Sequence, residues 1–135
     1  GDRRSGRIFN KEELLSGLPA PLLAELSMEQ PNSWQDSLQL LARHGLHGSS
    51  LAVLPLGNVS RQHCNGLIEG LKKAGLNKVE LCRTPLETEG FDRQLLLACS
   101  GSCKRQGLRK LLQELRLQQK TPLGLIWLES SASNG

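Results

Sequence analysis

Leu51-Ala52-Val53-Leu54-Pro55-Leu56-Gly57-Asn58-Val59-Ser60-Arg61-Gln62-His63-Cys64 is the stretch on which the fold turns. Its first four residues make a short apolar run between Ser49-Ser50 and Pro55, the pattern of a buried strand. Asn58 or Ser60 then offers an N-cap. Cys64, Leu67, Ile68 and Leu71 recur at i, i+3, i+4 and i+7, so they share one helical face. Gly75-Leu76 stops this helix near Ala74. Lys78 to Cys82 reads as a second strand.

Residues 95–126, laid without gaps over 51–82, repeat the pattern. Leu95 to Cys99 is a strand. Ser100 or Ser102 caps a helix to about Gln119, with Leu108, Leu111, Leu112 and Leu115 on the matching face. Gly57-x-x-x-Arg61-Gln62 coincides with Gly101-x-x-x-Arg105-Gln106. Leu123 to Leu128 is the closing strand. A strand–helix–strand unit cannot bury its own sheet face, so the two halves should share one sheet.

The link 83–94 holds Thr84-Pro85 and Gly90 and offers little helix. A parallel crossover normally uses one, and a long hairpin does not. The expectation is therefore an α/β sandwich of the β-α-β-β-α-β, ferredoxin-like kind: a four-stranded, mostly antiparallel sheet with two helices on one face. A parallel, three-layer α/β sheet is the alternative.

Upstream, Asn10 caps a short helix from Lys11 to Ser16, with Glu12 and Glu13 in its first turn. Pro21 to Met28 reads as a second short helix. Ser33 opens a third, Trp34 to His44, stopped by Gly45. Residues 8–48 are thus expected as a helical extension packed on an α/β core at 49–129. Residues 1–7 and 130–135 are polar and linker-like. These ends suggest a domain of a longer polypeptide.

Of 135 residues, 38% are apolar and 22% charged, which excludes a disordered chain. No run is apolar enough to span a membrane, and no membrane partner is expected. Leucine, with 29 copies, supplies the core; two Phe, two Trp and no Tyr leave few surfaces for stacking bases. The four cysteines, in a chain too long to need disulfide staples, imply reduced thiols and an intracellular site, nuclear or cytoplasmic.

Net charge is +4, and residues 103–120 carry six basic side chains against one acidic. Arg105, Arg109, Arg116 and Lys120 fall within a sector of roughly 60° on an ideal helix, flanking the leucine face. Such a stripe suits nucleic-acid phosphates or an acidic protein patch. It equally suits the solvated flank of a core-facing helix.

Cys99 and Arg105 have the Cys-x5-Arg spacing of cysteine phosphatases, in which loop amides bind phosphate and an activated thiol attacks. No general-acid loop accompanies it. A milder expectation is anion binding at the two strand–helix turns, by Arg61 in the first and Gly101, Ser102 and Arg105 in the second. It holds only if the strands run parallel, which brings both turns to one sheet edge. No Walker or dinucleotide fingerprint and no metal-ligand spacing is present, so neither cofactor nor metal is expected.

The function expected from these features is a non-catalytic protein-interaction domain. Its partner would be another protein or a neighbouring domain of its own chain. Nucleic-acid binding along the basic helix, through RNA or DNA phosphates, is the alternative. Cysteine phosphatase chemistry stands third.

Overall fold

The computed structural model describes residues 6–131. Among the described residues, seven strands and four α-helices follow in order: β1 (Arg7–Ile8), α1 (Lys11–Gly17), β2 (Leu22–Ser27), α2 (Gln35–Gly45), β3 (Leu51–Pro55), α3 (Arg61–Lys73), β4 (Val79–Leu81), β5 (Arg93–Cys99), β6 (Cys103–Lys104), α4 (Arg105–Gln118) and β7 (Gly124–Glu129). Five strands form one sheet in the order β2-β7-β5-β3-β4, and every neighbouring pair in it is parallel. β1 and β6 make a separate antiparallel pair, Ile8 opposite Cys103.

The ferredoxin-like arrangement is therefore corrected to the parallel, three-layer one. β3 and β5 run side by side, Leu51 opposite Arg93 and Pro55 opposite Leu97. The link between β4 and β5 crosses back over the sheet without an α-helix. It carries a single 3-10 turn, Leu86–Thr88, in which the Thr88 hydroxyl donates to the Pro85 carbonyl at 2.6 Å. Gln118 of α4 donates to the same carbonyl at 2.8 Å, so α4 supports the link from outside. A link of about a dozen residues reaches easily, since an extended chain spans roughly 3.3 Å per residue.

The physical reason for the parallel sheet lies in the strands. Leu51-Ala52-Val53-Leu54 and Leu95-Leu96-Leu97-Ala98 are buried throughout, with no polar alternation. Strands covered on both faces read as continuous apolar runs, and parallel sheets need both faces covered. One face packs Leu51, Val53, Leu95, Leu97, Ile126 and Leu128 against α2 and α3. The other packs Leu54, Leu96, Ala98, Leu125 and Trp127 against α1 and α4. The two halves of the repeat thus share one sheet but place their helices on opposite faces.

The segment 8–48 is not a helical extension beside the core. Pro21 to Met28, expected as a helix, supplies β2, an edge strand of the main sheet, running from Leu22 opposite Leu125 to Ser27 opposite Glu129. Without it β7, buried along Gly124–Leu128, would leave its outer backbone groups unpaired. Local helix preference yields to that tertiary demand. The expected helix at Trp34 starts at Gln35 instead, after a 3-10 turn at Pro31–Trp34. Ser33 does not cap it; its hydroxyl donates to the Gln30 carbonyl at 2.7 Å. The expected caps Asn10 and Ser60 do form, accepting from the Glu13 and His63 amides. Residues 1–5 and 132–135, within the linker-like ends, lie outside the described residues.

The strand order has a functional consequence. Starting at β3, the chain goes first to β4 on one side, then back to β5 and β7 on the other. This is the 2-1-3-4-5 order of flavodoxin-like sheets, with the outermost strand supplied from the start of the chain. The order reverses between β3 and β5. Ligands of open parallel sheets bind beyond the carboxyl ends of the strands at such a reversal.

Candidate functional site

Beyond β3, Leu56 stays in the sheet by donating its amide to the Leu97 carbonyl at 2.8 Å. Gly57 then turns with φ 76°, a left-handed value that favours glycine. Beyond β5, Gly101 turns likewise, with φ 77°. The two turns touch: the Asn58 amide donates to the Ser102 carbonyl at 2.9 Å. Parallel pairing has brought both to one sheet edge, as the anion expectation required.

The amides of the second turn at Gly101, Ser102 and Arg105 are nevertheless spent, as is that of Asn58 in the first. The Gly101 amide donates to the Ile8 carbonyl at 2.8 Å, Ser102 to Cys99 at 3.1 Å, and Arg105 to Gly6 at 2.7 Å. The β1–β6 pair covers the start of α4, where an anion would otherwise sit. The buried Ser102 hydroxyl accepts the Cys99 amide at 3.2 Å. Gly101 and Ser102 are structural turn residues; the backbone anion cradle expected at them is not formed.

The basic stripe is also altered. Arg105 is held in a two-pronged ion pair by Glu13 of α1, at 2.7 and 3.0 Å. Lys120 is off the helix altogether, because Gln119 adopts a left-handed conformation (φ 56°) and ends α4. Its ammonium donates to the Phe91 carbonyl at 2.7 Å. Arg109 and Arg116 remain exposed on the helix. Arg61 is exposed at the start of α3 and lines a small cavity of about 360 Å³ with Arg83 and Cys64.

The Cys-x5-Arg pair does not assemble. Cys99 packs with the core on the α2–α3 face, while Arg105 is committed to α1. Burial pushes the Cys99 thiol up, and the hydrogen bond with Ser102 only partly opposes this. A nucleophilic thiol needs the opposite shift. Burial likewise raises the Cys64, Cys82 and Cys103 thiols.

A second, larger concavity at the strand ends lies on the α4 side of β3, with a volume of about 600 Å³. Leu54, Leu56, Pro85 and Leu111 give it an apolar lining. Arg7, Arg83, Lys104 and Lys110 bring four cations to it against one carboxylate, Glu114. Arg7 is engaged, donating to the Gly101 carbonyl at 2.9 Å. Lys110 and Glu114 lie one turn apart on the flank of α4 facing this cleft, whereas Arg109 and Arg116 do not line it.

Sequence reasoning missed Arg7, Arg83, Lys104 and Lys110. Arg83 lies two residues past β4, and Lys104 directly precedes α4. Once the strands are parallel, both positions fall at the reversal edge.

Downstream of the cleft the surface turns apolar. Leu86 and Leu117 are 79% and 74% exposed and line one shallow depression with Pro85. Among the described residues, no group of three or more His, Cys, Asp or Glu side chains is gathered as a metal site. None of the described helices is long and apolar enough to cross a membrane. Comparison with protein-family models, with curated proteins and with solved structures finds no match.

Proposed function

We propose that this chain is a non-catalytic interaction domain of an intracellular protein, binding another protein or a neighbouring domain through the outer flank of α4. The observation that carries this reading is the exposed pair Leu86 and Leu117, set beside Pro85 and next to the cationic cleft. Large side chains left exposed side by side are what an interface core uses, and a charged rim steers the encounter. All four cysteines are free, as a reducing compartment leaves them.

A photo-crosslinking residue at position 117, in the chain expressed in cells, tests the reading. A discrete protein adduct that disappears with Leu86→Ser is the expected result. Equal labelling from a control position on α3, such as Asn65, overturns it.

A second reading, phosphate contacts with nucleic acid, draws on Arg109 and Arg116, which are exposed on α4 and have no ion pair among the described residues. It would be independent of base sequence, because two arginines on one flank present no array for reading base edges.

A further inference from the structure

The cleft at the strand-order reversal has properties that a protein-docking surface does not need. It is concave, and its volume of about 600 Å³ lies within the usual range for small-molecule sites. Its lining divides chemically. Leu54, Leu56 and Leu111 contribute apolar lining, and Arg83, Lys104 and Lys110 contribute cationic lining. None of these three cations has an ion pair or hydrogen bond from its charged end within the described residues. Among the described residues the lining holds one carboxylate, Glu114, against these three cations. Two cations elsewhere are paired across elements, Arg105 with Glu13 and Lys11 with Glu25 at 3.1 Å, whereas Arg109 and Arg116, like the cleft cations, are not; what distinguishes the cleft is that its cations share one concavity. Three exposed cations line one apolar-walled concavity with a single carboxylate among its described residues, and that local excess of positive charge favours an anion.

We infer that this cleft binds a small phosphate-bearing molecule with an apolar body, its phosphate held by Arg83, Lys104 and Lys110. A phosphate monoester carries a charge of about −1.5 to −2 at neutral pH and three acceptor oxygens. That charge and acceptor count suits a lining that carries three cationic donors better than a single carboxylate would. The position agrees: Leu54 and Leu56 lie at and just past the end of β3, Arg83 lies two residues past β4, and Lys104 lies in β6 on the turn that follows β5, so the carboxyl-end side of all three strands contributes. No aromatic side chain lines the cleft, which disfavours a single-stranded nucleic acid threading through it. The inference is independent of protein docking at Leu86 and Leu117, and the two can fail separately.

The test uses the 135-residue chain and three probes: inorganic phosphate, phenyl phosphate, and a ten-residue phosphoserine peptide. Amide resonances are followed by two-dimensional NMR at 50 mM salt. Phenyl phosphate should shift Gly57, Asn58, Arg83, Lys104 and Lys110, and bind more tightly than inorganic phosphate because of its ring. Arg83→Gln with Lys110→Gln should weaken it by more than about tenfold. Arg109→Gln with Arg116→Gln removes the same charge from the other flank and should leave it within about twofold. Equal loss in both double variants reduces the effect to bulk charge and overturns the site. So does the absence of shifts at these residues up to 10 mM phenyl phosphate. A phosphopeptide that binds there ten times more tightly overturns the small-molecule assignment. Unchanged thermal midpoints in both double variants show that the fold is intact, since all four side chains are exposed.

Discussion

The carbonyl oxygen of Ser102 lies directly over the Cα of Gly57, where a side chain would begin, and accepts the next amide, Asn58, at 2.9 Å. This contact closes the gap between the two strand–helix turns and confines the open space to either side of β3.

Gly57→Ala should therefore be among the most damaging small substitutions in the chain. A Cβ there collides with backbone, which cannot move aside, and φ 76° is already unfavourable for alanine. The expected loss is about 2–4 kcal/mol in urea unfolding. Gly101→Ala shares the left-handed φ but meets only the edge of the Phe9 ring, at 3.0 Å, and that ring can shift. Its loss should be about 1–2 kcal/mol. Equal losses would mean that the contact with Ser102 is not rigid.

The repeat places Leu67 and Leu111 at equivalent positions, but their surroundings differ. Leu67 is fully buried between α3 and the sheet, while Leu111 is half-buried at the cleft wall. Leu67→Ala should cost about 3–5 kcal/mol and Leu111→Ala no more than about half as much. Chemical denaturation of both variants decides it; matched losses would imply that the cleft is closed in solution.

Those two leucines also mark what the sequence made legible. The strands β3, β4, β5 and β7, the helices α3 and α4, and the caps at Asn10 and Ser60 all follow from local periodicity and turn chemistry. The direction of β5 relative to β3 did not. The helix-poor link 83–94 suggested a hairpin, while the unbroken apolar runs at 51–54 and 95–98 pointed to a doubly covered parallel sheet. β2 was hidden because Leu22–Ser27 is helix-compatible locally and becomes a strand only beside β7. The site followed the same division. Arg105 and Lys120 fit the helical stripe on paper, but Glu13 and the Phe91 carbonyl, distant in sequence, claim them. Arg83 and Lys104 became neighbours only through the topology.

The thiols give a reactivity and a pH prediction. Cys64, Cys82 and Cys103 are buried, and burial raises all four thiols above their ordinary range. A disulfide-exchange reagent should label the native chain slowly and count four thiols after unfolding. A raised native pKa favours the protonated form. The associated stability is complete below the ordinary thiol range and is lost as pH rises through the native values. The unfolding midpoint should fall in mild alkali, and less so in Cys103→Ala measured against its own neutral value. Two bridges in the thiol count, or an alkaline midpoint that does not move, would contradict this.

Asp92 gives the opposite sign. Its carboxylate accepts the Ser50 amide at 2.9 Å and the Ser50 hydroxyl at 3.2 Å, which pulls its pKa below the usual carboxylate range. Its contribution is present above the unfolded value and lost as pH falls through the native one. Asp92→Asn should lower the thermal midpoint at pH 7, and the gap to wild type should narrow in acid. A gap that widens on acidification would show that the bond to Ser50 does not carry the effect.

The last prediction separates the two surfaces of α4. If all four residues of the sequence-level stripe met phosphates, log affinity for a mixed-sequence duplex would fall against log salt with a slope of about −3.6. Arg105 is held by Glu13 and Lys120 by the Phe91 carbonyl, so Arg109 and Arg116 are left. The expected slope is then about −1.8, with affinity measurable only at low salt. Arg109→Glu with Arg116→Glu should abolish this binding without lowering stability by more than about 0.5 kcal/mol, since both side chains are exposed. Arg83→Gln with Lys110→Gln, on the cleft side, should leave the slope unchanged. A slope near the four-contact value would mean that Arg105 gives up Glu13 for phosphate, and Glu13→Gln should then raise affinity. No binding at 20 mM salt removes the nucleic-acid reading and leaves the two proposals that concern the leucine pair and the cleft.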